Sequence, residues 1–324
     1  MIYLITGITG FAGPHLANVL LNEGHTVYGL LRNSNGMETD ILDIVEAENF
    51  SKIKFIYSDL KNWRTLNKLF KDHKFDGVFH LAAQSHPPTS FVDPIGTFDT
   101  NVMGSVNLIQ AILDNQPECK LMFCSSVEVY GNEGSDKRHI IETNMLLPAN
   151  PYGASKAAID LYLQERMKNK SINAFITRAF CHSGPRRGKT FSISSDAYQI
   201  ALMMKGKQEK VLKIGNLETI RVVMDVRDIV MGYYLLMQNQ NSSGEVYNIS
   251  GETPLKIRYY VDKMKELSGL DNIEEVIHKP FWREIDIDYQ MGDDSKFRKL
   301  TGYQNKYPID QTLKDLLDYW VKKV

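Results

Sequence analysis

Short apolar, β-branched runs alternate with helical patterns through the first half of this chain, and that rhythm restricts the fold more than any other feature. The runs are "IYLITG", followed by a helical stretch from Pro14 to Glu23; "TVYGLLR"; "IKFIYSDL", followed by Trp63 to Phe70; "GVFHLAA", followed by Val102 to Asp114; "KLMFCSS", followed by a helix after Pro151; and "NAFITRAF". Strands that read as continuous apolar runs are buried on both faces, which is the signature of a parallel sheet covered by helices. Right-handed crossovers then give an α/β, doubly wound sheet. After Phe180 the rhythm breaks into "CHSGPRRGKTF", and the chain closes on the amphipathic "PIDQTLKDLLDYWVKKV". Residues 1–180 are therefore expected to form the first domain. Residues 181–324 mainly form a smaller lobe, with interleaving of its segments left open.

Length and charge exclude several classes of function. A chain of 324 residues with 43% hydrophobic residues buries a substantial core. With 38 basic against 39 acidic residues the net charge is -1, so no global attraction to nucleic acid or an anionic membrane exists. Three cysteines, Cys119, Cys124 and Cys181, make neither a disulfide framework nor a zinc spacing, and no metal site is expected. With no basic leader or long apolar segment ahead of "IYLITG", the expectation is a cytoplasmic protein.

The first strand runs into Gly7-Ile8-Thr9-Gly10-Phe11-Ala12-Gly13, a GxxGxxG pattern, with Pro14 in the first turn of the following helix. Glycines there let the backbone approach a pyrophosphate, which then sits on exposed N–H groups at the positive end of the helix. The second strand ends in Arg32 rather than an acidic residue that would hold a ribose 2′-hydroxyl, which favours NADP over NAD. Asp59 and Leu60 after the third strand, and Leu81, Ala82 and Ala83 after the fourth, fall at carboxyl ends of strands, where ligands of such sheets bind. Ser85 and His86 follow them and are candidates for substrate contact.

In "NPYGASK", Tyr152 and Lys156 stand four apart and share a helical face. An ammonium beside a phenol stabilises its anion, so Tyr152 is a candidate base. Ser126, at the end of the fifth strand, supplies a hydroxyl that can steady a substrate oxygen. Two residues on, Glu128 sits between two valines, where an unused carboxylate is costly. In the smaller lobe Arg186, Arg187, Lys189, Arg221 and Arg283 supply cations suited to phosphate oxygens.

These segments together resemble the extended short-chain dehydrogenase/reductase family, in its nucleotide-sugar branch, and most closely the GDP-mannose 4,6-dehydratases. "LITGITGFAG", "GLLRNSN", "AAQSHPPTSFVDP", "NPYGASK", "GPRRGKTF", "KIGNLETIR" and "REIDIDYQMGD" match in order. The resemblance implies a Rossmann-like NADP-binding domain with a smaller C-terminal substrate-binding lobe and a GDP-sugar as substrate. It implies that Tyr152 takes the C4 hydroxyl proton with Lys156 and Ser126 assisting, and that Glu128 removes the C5 hydrogen and assists loss of water from C6. Arg221 and Arg283 are implied to lie near the nucleotide diphosphate, and the Arg186-Arg187-Gly188 loop to be an inter-subunit element. A homodimer or homotetramer is expected. Two positions depart from the pattern: Val127 replaces a serine or aspartate, and Cys181 replaces an asparagine. A 4-ketosugar reductase and a C4 epimerase remain alternatives, since both use a tyrosine-lysine pair and neither requires Glu128 as base.

Overall fold

The structure, a computed structural model, describes residues 1–32, 37–134, 136–281 and 287–324. Arg283 and the opening of "REIDIDYQMGD" lie outside the described residues. Seven parallel strands form the central sheet: β1 (Ile2–Thr6), β2 (Thr26–Leu31), β3 (Lys54–Tyr57), β4 (Gly77–His80), β5 (Lys120–Cys124), β6 (Ala174–Ala179) and β7 (Val246–Ile249), in the order β7-β6-β5-β4-β1-β2-β3. The order reverses at β1, where β4 and β2 flank it on opposite sides. Crossovers that diverge from such a point leave a crevice at the carboxyl ends of the strands. The seventh strand comes from the C-terminal half, with Tyr247 paired to Thr177 and Ile249 to Ala179.

Neighbouring residues of one strand serve opposite faces, as the pleat requires. Tyr3 and Ile5 point into a core with Leu16, Phe79, Met122 and Phe175, covered by α1 (Ala12–Asn22) and by a helix at Val226–Gln238 through Val230, Tyr233 and Leu236. Leu4 points the other way, into a core with Val78, Leu121 and Phe123. That face is covered by α2 (Trp63–Asp72), α3 (Gly104–Asn115) and α4 (Pro151–Lys168) through Leu66, Leu108, Ile112 and Leu163. The helix expected from Val102 begins at Gly104, because residues Asp99–Met103 form a π-helical turn. Turns of that kind displace side chains from the helical register. Here the turn carries buried Asn101, whose side-chain amide bonds both N and O of Gln84 and the Ser155 hydroxyl on α4 (2.8, 2.9 and 2.9 Å).

A third core joins α5 (Ser192–Met204), α7 (Ile257–Ser268) and α8 (Ile309–Lys323) through Ala197, Ile200, Tyr260, Met264, Leu313 and Leu316, together with Leu212 of the short strand Val211–Ile214, while the helix Val226–Gln238, α6, packs on the sheet. Among the described residues no helix is long and apolar enough to cross a membrane.

A buried polar network fixes the carboxyl end of β5 against α4 and β6. Arg178 of β6 is 2% exposed and donates from Nε and Nη2 to the Asp160 carboxylate of α4 at 2.9 and 2.7 Å. Its Nη1 donates to the Tyr130 hydroxyl and the Glu142 carbonyl, both at 2.8 Å. Asp160 in turn accepts from the Ser125 hydroxyl at 2.7 Å.

Candidate active site

The carboxyl ends of β1, β2, β4 and β5 open into one continuous cleft of about 2020 Å³ that is lined further along the chain by residues between Cys181 and Phe281. At its first end β1 stops at Thr6, and the Gly10 N–H donates to the Gly7 carbonyl at 2.9 Å, turning the chain into α1. The helix starts at Ala12, two residues earlier than expected, with Pro14 still inside the first turn, where its missing N–H has no helical partner to lose. A Cβ placed on Gly13 would stand 2.5 Å from the Gly7 carbonyl oxygen, so only glycine lets the turn fold this tightly. Gly7, Thr9, Gly10, Phe11, Ala12 and Gly13 all face the cleft. Arg32 is exposed at the end of β2 on the same wall, and Asp59, Leu60, Leu81, Ala82 and Ala83 complete it. A glycine cradle at a helix N-terminus, beside a cation at the end of the next strand, fits a pyridine dinucleotide. Gly13→Ala is expected to weaken dinucleotide binding at least about tenfold and to destabilise the fold by about 1–3 kcal/mol, read by cofactor titration and urea denaturation.

Next to this cradle the structure brings Ser126, Glu128, Tyr152 and Lys156 into one wall of the cleft. Strand β5 ends at Cys124, and Val127–Val129 form a 3-10 turn capped by the Ser126 hydroxyl, which accepts from the Glu128 N–H at 3.2 Å. The turn lies directly against α4, because a Cβ on Gly153 would meet the Glu128 carbonyl oxygen at 2.5 Å. Val127 and Val129 are buried, Val127 still lining the cleft, while Glu128 is half-buried and reaches it. Its Oε2 accepts from the Asn150 amide at 2.6 Å, and the same Asn150 caps α4 by accepting from the Gly153 N–H at 2.8 Å. One asparagine thus sets Glu128 and Tyr152 relative to each other. The signal for it was an asparagine immediately before a proline at a helix start.

The Tyr152-Lys156 pair is arranged differently from the simple reading of its spacing. Lys156 is buried and its ammonium donates to the Cys124 carbonyl at 2.7 Å, over the Phe123 ring at 4.9 Å. A carbonyl at the end of a strand has lost its ladder partner, and the nearest strong donor takes it. Burial lowers the lysine below its ordinary range. The Tyr152 phenol is pushed above its ordinary value by burial, with a hydrogen bond from Ser126 and the positive charge of Arg187 drawing it back and Cys124 and Glu128 adding to the rise.

Arg187 lines the cleft, its guanidinium 3.6 Å from the centre of the Phe191 ring and 4.8 Å from that of Phe11. Burial lowers it to about 10. Ser85 and His86 line the same region, with the His86 imidazole 5.4 Å from Phe191 and 2.9 Å from the Thr89 hydroxyl. His182 is neutral, lowered to about 4 by burial, and stacks on Phe11 at 5.6 Å. Arg221, 8% exposed, faces the cleft from the strand Ile220–Arg221.

Within this chain, Arg186 of the Arg186-Arg187-Gly188 loop reaches the glycine cradle. Arg186, with φ of 75°, donates to the carbonyls of Gly10 and Thr9 at 3.1 and 2.9 Å and pairs with Asp43 at 2.8 Å. Asp43 also accepts from the Tyr319 hydroxyl of α8 at 2.8 Å. The carbonyls of a tight glycine turn point outward and need a donor, which a guanidinium fork supplies.

Comparison with known proteins agrees with this architecture. The family model for GDP-mannose 4,6 dehydratase matches residues 4–316. Among relatives, the GDP-6-deoxy-D-mannose reductase of Pseudomonas aeruginosa is 28% identical, with 99% of this chain and 97% of the relative covered. The GDP-mannose 4,6 dehydratase 1 of Arabidopsis thaliana is 30% identical, with 98% of this chain and 89% of the relative covered. Among solved structures, RMD from Pseudomonas aeruginosa complexed with NADPH superposes with a TM-score of 0.84 at 27% identity, covering 100% of this chain and 99% of that one. With a match that runs over nearly its whole length, the chain belongs to the GDP-mannose 4,6 dehydratase family.

Proposed function

We propose that this protein is an NADP-dependent 4,6-dehydratase of a GDP-linked sugar, either GDP-mannose or a related GDP-N-acetylhexosamine or heptose, which yields the 4-keto-6-deoxy sugar. One observation carries the reading: the Glu128 carboxylate shares a cleft wall with Ser126, Tyr152 and Lys156, tied to the helix of Tyr152 through Asn150. Oxidation and reduction at C4 need one acid/base group, whereas elimination across C5 and C6 needs a second.

In this mechanism Gly7 to Gly13 hold the pyrophosphate, Arg32 the 2′-phosphate, and Leu81 to Ala83 the neighbouring ring system. A pyridine dinucleotide held there would supply a reversible hydride store, filled by the hydride that C4 loses and emptied onto C6. Ser126 steadies the C4 oxygen while Tyr152, as its anion, takes the hydroxyl proton. Burial opposes that anion, so the Ser126 hydroxyl and the Arg187 charge are what this chain provides to make it accessible. Lys156 holds the end of β5 through the Cys124 carbonyl and keeps positive charge one helical turn from the phenol. A keto group at C4 acidifies C5, and Glu128 removes that proton. The protonated Glu128 then gives a proton to the C6 hydroxyl, which leaves as water, and Val127 offers no second acid beside it. Arg221 and Arg283 bind the diphosphate, and residues 181–324 supply most of the nucleotide-sugar lobe.

A second reading, reduction of a GDP-4-keto-6-deoxy sugar, is favoured by the likeness to the Pseudomonas reductase and by Val127. Incubation with GDP-mannose and catalytic NADP separates the two. The dehydratase forms an alkali-absorbing 4-keto product without lasting change in NADPH absorbance; a reductase turns over only when NADPH and a ketosugar are supplied. Arg32→Ala is expected to reduce the preference for NADP over NAD by about tenfold to a hundredfold, measured as the ratio of their dissociation constants.

A further inference from the structure

Among the described residues, the buried aspartates other than Asp196 each hold at least one hydrogen-bonded partner, Asp294 through one oxygen only. Asp160 holds Arg178 and Ser125; Asp225 holds Arg227 and Thr312; Asp228 accepts from the Tyr303 hydroxyl and the N–H groups of Lys306 and Tyr307. Asp196 is the exception. It lies in the second turn of α5, is 5% exposed and faces the cleft, and among the described residues its carboxylate has no hydrogen-bond or ion-pair partner. Burial, with the negative charge of Glu275 adding to it, pushes the carboxyl up to about 8.

The surroundings are built rather than loose. Gln199, one turn further along α5, locks the backbone of Lys213 by donating to its carbonyl at 3.0 Å and accepting from its N–H at 2.9 Å. That fixes the strand Val211–Ile214, whose Val211 and Lys213 line the same cleft as Asp196. Ile193, one turn before Asp196 on α5, and Leu217 are buried and add apolar side chains to the cleft lining. Burial favours the protonated carboxyl while the cleft holds no ligand, and two N–H donors brought to its oxygens would favour the ionised, acceptor-only form, so the position suits a flat ligand that presents two adjacent donors.

We propose that Asp196 is the base-selecting residue of the nucleotide subsite, its two carboxylate oxygens accepting the N1–H and the exocyclic N2–H of guanine. This rests on the reading of the cleft as a nucleotide-sugar site. Guanine is the common base whose pairing edge carries two neighbouring donors. Uracil offers one N–H between two carbonyls, and those would face the carboxylate with like charge. Adenine sets an acceptor nitrogen next to its amino group. A buried group left unmatched in this way rejects the wrong base far more strongly than an apolar pocket does.

The test is a calorimetric titration of the full-length protein with GDP, inosine 5′-diphosphate (which lacks only the 2-amino group) and UDP. The wild type is expected to bind GDP at least about tenfold more tightly than inosine 5′-diphosphate and UDP more weakly than either. Asp196→Asn and Asp196→Ala should each weaken GDP by about tenfold to a hundredfold and bring GDP and inosine 5′-diphosphate to near-equal affinity, while NADP affinity stays at the wild-type value and reports an intact fold. Equal wild-type affinity for GDP and inosine 5′-diphosphate overturns the assignment, and that arm needs no variant. So does an Asp196→Asn protein that keeps the wild-type ratio. Base selection that depends on Asp196 in a protein that never dehydrates a GDP-sugar keeps the subsite and removes the lyase reading; dehydration with base selection indifferent to Asp196 does the reverse.

Discussion

Glu128→Gln is expected to stop exchange of the sugar C5 hydrogen with deuterated solvent and to lower dehydration by about a hundredfold to ten-thousandfold, with NADP affinity unchanged. The substitution is close to isosteric, and the amide oxygen can still accept from Asn150, so the turn Val127–Val129 and its contact with α4 stay as they are. What disappears is basicity alone. Mass spectrometry of recovered nucleotide sugar after incubation in deuterated water reads the exchange, and cofactor titration reads the fold. Undiminished exchange in the variant would remove Glu128 from the chemistry and leave it as a partner of Asn150. The alternative substitution Glu128→Ala is less informative, because it also frees the cap of the catalytic helix.

The second large effect concerns stability. Asp160→Ala should destabilise the protein by about 3–5 kcal/mol, because the Arg178 guanidinium remains buried at 2% exposure with its opposite charge gone. Urea denaturation followed by circular dichroism measures it. Burial works against the Arg178 charge, but the hydrogen bonds and charge of Asp160 outweigh it and raise the guanidinium above its ordinary value, so the arginine stays charged and the loss persists across neutral pH. Replacing both partners by apolar residues, Asp160→Leu with Arg178→Met, should recover a large part of the loss, since no unpaired charge is left. If the single substitution were as mild as the double one, the pair would be no more than a space-filling contact. The position of Ser125, and through it the end of β5 beside Ser126, makes the pair relevant to the site as well as to the fold.

The sheet was legible because six of its strands are apolar runs separated by helical patterns, and burial on both faces forces that composition. The seventh was not: Val246–Ile249 is four residues long and follows a polar loop far from the other strands in sequence. The π-helical turn Asp99–Met103 has no composition of its own, so the pattern of α3 alone suggested an ordinary helix. Within the site, the GxxGxxG turn and the Tyr152-Lys156 face follow from spacing. Spacing carries nothing about main-chain acceptors, however, and it is the carbonyls of Cys124, Thr9 and Gly10 that determine where Lys156 and Arg186 go. Asp196 left no mark in the sequence either, since a single aspartate early in a helix reads as a solvated residue until its neighbours are known to be buried.

The origin of β7 bears on how this chain could have been assembled or could be recombined. A hybrid joined near residue 180, with the front half of one relative and the back half of another, would inherit a sheet whose last ladder, Val246–Ile249 against Ala174–Ala179, pairs unrelated sequences. It would also set Tyr233 and Leu236 of one parent against Phe79 and Phe175 of the other. Swapping whole halves therefore disrupts two packed seams at once. Exchanging only the elements of the third core, around α5, α7 and α8, respects both seams and is the graft through which a different sugar nucleotide could be brought to the same catalytic wall.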